Sequence, residues 1–145
     1  PSHTYPDNGI YTVTLTVTDD DGGVGVDTLE VNVANVNPQV EAGTDKTIIE
    51  GGSIILPPSS FTDVGLQDTH TALINWGDGT TEAGVISQGQ GVGSVTASHT
   101  YPDNGAYTVS VIIKDDDQGE GSDSFIVTVN NALPVVEAGN DQVPQ

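Results

Sequence analysis

Apolar positions in this chain recur with a period of two. Tyr11, Val13, Leu15 and Val17 alternate with Thr12, Thr14, Thr16 and Thr18, and Leu29, Val31 and Val33 alternate with Thr28, Glu30 and Asn32. Successive side chains of a strand point to opposite faces, so the pattern predicts half-buried strands. The alternation returns over residues 107–113 and 122–129. Shorter apolar runs at 40–49 (split near Gly43), 52–56, 72–76, 80–87 and 94–99 predict further strands, and residues 57–71 read as a long loop. No stretch has the 3.6-residue period of a helix. Short strands with frequent turns favour two packed sheets. Asp78-Gly79, between two such runs, predicts a type I′ turn, which needs positive φ at both central residues.

The strands belong to a repeat. Ser2-His3-Thr4-Tyr5-Pro6-Asp7-Asn8-Gly9 returns as Ser98-His99-Thr100-Tyr101-Pro102-Asp103-Asn104-Gly105, an offset of 96 residues. About 26 of the 44 positions from Ser2 to Asp45 are identical across that offset, far more than shared propensity yields. The chain therefore reads as about one and a half units, an excised piece that starts and stops inside the repeat. Residues 1–36 are the C-terminal half of one unit, its last two strands. Residues 37–132 are a complete unit, and 133–145 begin the next, with its first strand expected at 135–141. An isolated hairpin is marginal in water, so residues 1–36 need a covering sheet from another copy of the repeat. The junction Val36-Asn37-Pro38 is too short for a flexible linker, so neighbouring units should sit close and semi-rigidly.

Composition narrows the partners. Two Lys+Arg against 21 Asp+Glu leave a formal net charge of −19. Such a surface repels nucleic acid and anionic lipid headgroups and attracts divalent cations. No apolar run is long enough for membrane insertion as a helix. With no cysteine, disulfides, thiolate metal sites and Cys nucleophiles are all excluded.

The order Trp76-Gly77-Asp78-Gly79, His99-Thr100-Tyr101, Gly105-Ala106-Tyr107-Thr108-Val109 and Asp115-Asp116-Asp117 closely resembles the PKD (polycystic kidney disease) domain. The resemblance covers nearly the whole chain. It implies an all-β, immunoglobulin-like β-sandwich, here in tandem, and an extracellular or cell-surface location. The family serves as extracellular spacer, adhesive module and accessory to secreted enzymes. The long loop over residues 61–70 departs from the shorter Asp-rich loop of the collagenase members. Near-identical tandem units point to a rod, stalk or filament built from copies of one repeat, as a homo-oligomer or fibre. The alternative is an accessory module that binds an extracellular glycan or protein. Ligand faces usually carry exposed aromatics, and Tyr5, Tyr11, Tyr101 and Tyr107 all fall in the core pattern, which favours the rod.

Little in the chain suggests a reaction. No nucleophile–base pair is recognisable, so no catalytic residue is assigned. Trp76 reads as core and Asp78 as a turn-ordering side chain. His3 and His99 lie one repeat apart and cannot converge on one ion, and His70 has no evident partner. Residues 22–30 match one copy of the calcium-binding nonapeptide of β-helices, but that structure needs successive copies. Ile112 and Ile126 fall on the polar face of the last two strands and are expected to adjoin there as a lateral contact. The densest chemistry is acidic. In the sandwich topology the entry end of the complete unit gathers Asn37, Asp63, Asp68, Asp115, Asp116 and Asp117, and the preceding unit presents Asn35 and its Asp7-Asn8 turn to the same gap. These oxygen donors predict a Ca²⁺ site stiffening the junction, since calcium takes six to eight oxygens in irregular geometry.

Overall fold

A computed structural model describes residues 2–140. All its regular elements are strands: β1 (Gly9–Thr18), β2 (Val24–Val33), β3 (Gln39–Glu41), β4 (Lys46–Ile49), β5 (Ser53–Ile55), β6 (Ser59–Thr62), β7 (His70–Asn75), β8 (Thr81–Gly89), β9 (Val92–Thr96), β10 (Ser98–Thr100), β11 (Gly105–Asp115) and β12 (Glu120–Asn130). β1 and β2 form a hairpin of their own. The complete unit is a sheet of order β3-β6-β9-β8-β7-β11-β12-β4, with β10 paired to β5 beside it. β8 belongs to both layers. Its first residues, Thr81–Gly84, pair with β7, and its last, Val85–Gly89, pair with β9. The sheet thus folds over itself as an immunoglobulin-like sandwich.

The core lies between the layers. Ile74, Trp76, Val109, Val111, Ile113, Phe125, Val127 and Val129 come from one layer, and Ile54, Leu56, Phe61 and Val95 from the other; all are buried. Tyr101 is fully buried, and its hydroxyl donates to the Trp76 carbonyl at 2.9 Å. His99 stacks on Trp76 with ring centroids 4.9 Å apart, and its Nε2 lies 2.7 Å from Asp78 Oδ2. His99 is therefore a structural side chain of the sandwich edge.

Four expectations change. The Trp76–Thr80 turn is not type I′. Positive φ falls on Gly77 (81°) and Gly79 (96°) but not on Asp78, and the Trp76 N–H donates to the Thr80 carbonyl at 3.0 Å. Gly77 lies so close to the Thr108 backbone that a Cβ would collide with it. Residues 57–71 are not simply a loop, because β6 inside them bridges β3 and β9. Its sequence, Ser-Ser-Phe-Thr, is made a strand by those two neighbours. Ile112 and Ile126 share a face but do not adjoin: Ile112 opposes Ser122 and Leu73, while Ile126 opposes Thr108. Residues 131–140 form no strand. In the complete unit β3 and β4 exist by pairing with β6 and β12, and residues 131–140 have no such partner. Asp141, the end of that expected strand, lies outside the described residues.

Candidate metal centre

The junction between the hairpin and the complete unit is a built contact. The Leu66 N–H donates to the Pro6 carbonyl at 3.0 Å. Asn35 Nδ2 donates to Asp115 Oδ2 at 2.9 Å. The Asn8 amide, oriented to satisfy both its ends, donates to Asp117 Oδ2 at 2.8 Å. These bonds bring the acids of three separate segments into one gap.

Asp63 follows β6 and is buried. Its Oδ1 accepts the Gly65 N–H at 3.0 Å, and its Oδ2 lies 3.1 Å from His70 Nε2. His70 therefore does have a partner, which sequence could not show because its register opposite Asp115 on β11 sets its direction. Asp68 closes a turn by donating its N–H to the Gly65 carbonyl at 3.3 Å, and its carboxylate packs over Gly65, where a Cβ would collide. Asp115 ends β11. Its Oδ1 accepts the N–H groups of Gly119 (2.6 Å) and Asp117 (3.0 Å), which leaves Oδ2 facing Asn35 and the gap. Gly119 is required there, since a Cβ would strike the Asp115 carboxylate and crowd the Asn35 and Asn37 side chains. Asp7 is held by Tyr11, whose hydroxyl donates to the Asp7 carbonyl at 2.9 Å.

Two groups of carboxylates result. One oxygen from each of Asp63, Asp68 and Asp115 lies within 4.8 Å of the others, and the same holds for Asp7, Asp68 and Asp117. Asp68 belongs to both. It is 7% exposed, and neither of its carboxylate oxygens has a hydrogen-bond partner. A buried carboxylate without a donor is costly unless a proton or a cation neutralises it. Burial, and after it the charges of Asp63, Asp7, Asp115 and Asp116, push the Asp68 carboxyl up to about 6. His70 sits against Asp63 rather than Asp68, and the Lys114 ammonium pairs with Glu120 at 2.9 Å.

Of the residues that sequence nominated, Asp63, Asp68, Asp115 and Asp117 join these groups, and Asn35 and Asn37 flank Asp115. Asp116 stands apart. Its Oδ1 accepts the Thr69 N–H at 2.9 Å, the main cause holding its carboxyl below the usual carboxylate range. Asp7, which sequence placed only at the edge of the gap, is a full member. The donor set is hard oxygen throughout, with carboxylates and amide or backbone carbonyls at hand, and it fits calcium rather than a softer metal.

The family model of the PKD domain matches residues 1–33 and 35–129. Among solved structures, the chain is similar to the PKD domain of an M14-like peptidase from Thermoplasmatales archaeon SCGC AB-540-F20. The two are 30% identical with a TM-score of 0.51, covering 67% of this chain and 99% of that one. An ASH / PapD-like domain of human CEP192 (PapD-like domain 7) also aligns, at 9% identity and a TM-score of 0.41, over 70% of this chain and 89% of that one. No curated protein matches. With its motifs, its sandwich and the matched segments in agreement, the chain belongs to the PKD domain family.

Proposed function

We propose that this chain is a non-catalytic structural module of a secreted or cell-surface protein, in which repeats stack into a rod, stalk or filament with calcium-stiffened junctions. The observation that carries the reading is Asp68, buried without a donor where one unit meets the next. A divalent ion there would offset the repulsion among the acids and bind two units through one site. Partners are other copies of the same repeat. The hairpin face of Val13, Leu15, Val17 and Leu29 is exposed, whereas its counterpart in the complete unit is buried against the layer that supplies Ile54, Leu56, Phe61 and Val95. The same face should draw the front half of another copy, so the chain is expected to self-associate; a monodisperse monomer with an ordered hairpin would contradict that partner.

The second reading, an accessory module gripping a glycan or protein, draws on the M14-like peptidase that carries the similar PKD domain. Against it, Trp76, Tyr101, Phe61 and Phe125 are all buried, so the complete unit presents none of them on a ligand face. Thermal melts of the chain in calcium and in chelator test the main reading. Calcium should raise the melting temperature, with a dissociation constant on the order of 10⁻⁴–10⁻³ M for an extracellular module. Indifference to calcium, with capture by a glycan array, would favour the second.

A further inference from the structure

We infer that the junction holds two cations that share Asp68, an inner ion belonging to the complete unit and an outer ion that the neighbouring unit completes. The inference rests on the calcium reading above and specifies its stoichiometry and division of labour. Three observations carry it. First, the carboxylates fall into two groups with one common member: Asp68 joins Asp63 and Asp115 in one and Asp7 and Asp117 in the other. Second, both oxygens of Asp68 are buried and free of hydrogen bonds, so the side chain has one oxygen to give each ion. Third, the two groups differ in origin. The inner group, all buried, comes from the complete unit alone, on the segments after β6, before β7 and at the end of β11. The outer group takes Asp7 from the preceding unit, a turn that Tyr11 fixes from its own hairpin.

The division of labour follows from this geometry. Filling the inner group neutralises carboxylates within one sandwich and orders its 63–68 and 115–119 loops. Filling the outer group clamps the Asp7-Asn8 turn of one repeat onto Asp117 of the next. Sharing Asp68 couples the two, because an inner ion fixes the carboxylate that the outer ion needs. Asp103, one repeat after Asp7, lies in the same Tyr-locked turn, with the Tyr107 hydroxyl donating to its carbonyl at 3.1 Å. Each repeat therefore carries both halves of the device, receiving at one end and offering an aspartate at the other.

Calcium alone is the probe. Isothermal titration and native mass spectrometry on the whole chain, extended to roughly ten times the millimolar upper end for extracellular modules, should count two ions. Asp7→Asn, on the hairpin's turn, should reduce the count to one and leave the melting temperature of the complete unit still raised by calcium. Asp63→Asn should weaken both ions. One ion in the unaltered chain, whether lost or retained in Asp7→Asn, would overturn the shared pair while the calcium reading stands. Two ions that both persist in Asp7→Asn would overturn the outer assignment. No ion in the unaltered chain would overturn this inference and the calcium reading together. If Asp63→Asn proves unfolded by circular dichroism, Asp117→Asn on the exposed loop replaces it and should remove the outer ion only.

Discussion

The two hairpins of the chain, β1–β2 and β11–β12, are the same object in two surroundings. Their registers coincide residue for residue across the 96-residue offset: Gly9 faces Val33 as Gly105 faces Val129, and Thr18 faces Val24 as Lys114 faces Glu120. Both lock the preceding turn by a tyrosine hydroxyl, and both tie the loop with an aspartate, Asp19 or Asp115, accepting from a glycine N–H at 2.6 Å. Burial separates them. Val13, Leu15 and Val17 are 40%, 63% and 60% exposed, whereas Val109, Val111 and Ile113 are fully buried. Alternation and turn chemistry therefore fix a hairpin and its register. Only a second layer turns its apolar face into a core.

The largest contrast between the hairpins is expected at equivalent core positions. Ile113→Ala should cost about 2–5 kcal/mol in denaturant unfolding, from lost burial plus a cavity. Val17→Ala, its counterpart, should stay within about 0.5 kcal/mol at dilutions where the chain is monomeric, and cost more as self-association covers the face. Equal losses in the dilute chain would mean that the hairpin covers its own apolar face.

Next comes acid. Only the complete unit has Asp78. Burial pushes that carboxyl up, but hydrogen bonds from the Thr80 side chain and N–H and from His99, with the His99 charge, outweigh it and hold it down to about 2. A carboxyl depressed by folding stabilises the fold above its unfolded value near 3.9 and loses that contribution as pH falls through the folded value. Melting temperature should thus fall between about pH 4 and 2, and Asp78→Asn should flatten that slope. An unchanged slope in the variant would remove Asp78 from the account.

Calcium should give a smaller contrast between the paired loops. At tenfold over the dissociation constant the ion should add about 1.4 kcal/mol. Asp115→Asn should abolish that gain and Asp19→Asn should leave it whole, as measured by paired melts with and without chelator. The smallest effect concerns Gln118, which sits at φ 74° where the hairpin has Gly22 at φ 87°. The left-handed region costs a non-glycine residue about 1–2 kcal/mol, partly offset by the entropy glycine loses. Gln118→Gly should therefore stabilise the complete unit by about 0.5 kcal/mol, a rise of a few degrees at most.

The fold was readable because its strands alternate and repeat, and Gly43 marks the split between β3 and β4. What escaped depends on neighbours rather than local pattern. β6 is polar and short, and two flanking strands define it. Ile112 and Ile126 share a face by parity, but their separation is a matter of register that parity leaves open. In the acidic loop, composition names Asp115, Asp116 and Asp117 alike. Backbone direction sends Asp115 and Asp117 into the gap and Asp116 to the Thr69 N–H. Asp7 joins the site because the junction folds its turn back, a contact made across the repeat boundary.

The proposed calcium site lies between the repeats and draws acids from both. A calcium titration followed by amide chemical shifts addresses it residue by residue. Signals of Asp7 and Asn8, of residues 63–68 and of residues 115–119 should move together in the titration, while Asp19 to Gly23 stay still. Shifts confined to residues 115–117, with Asp7 and Leu66 unmoved, would contradict that site.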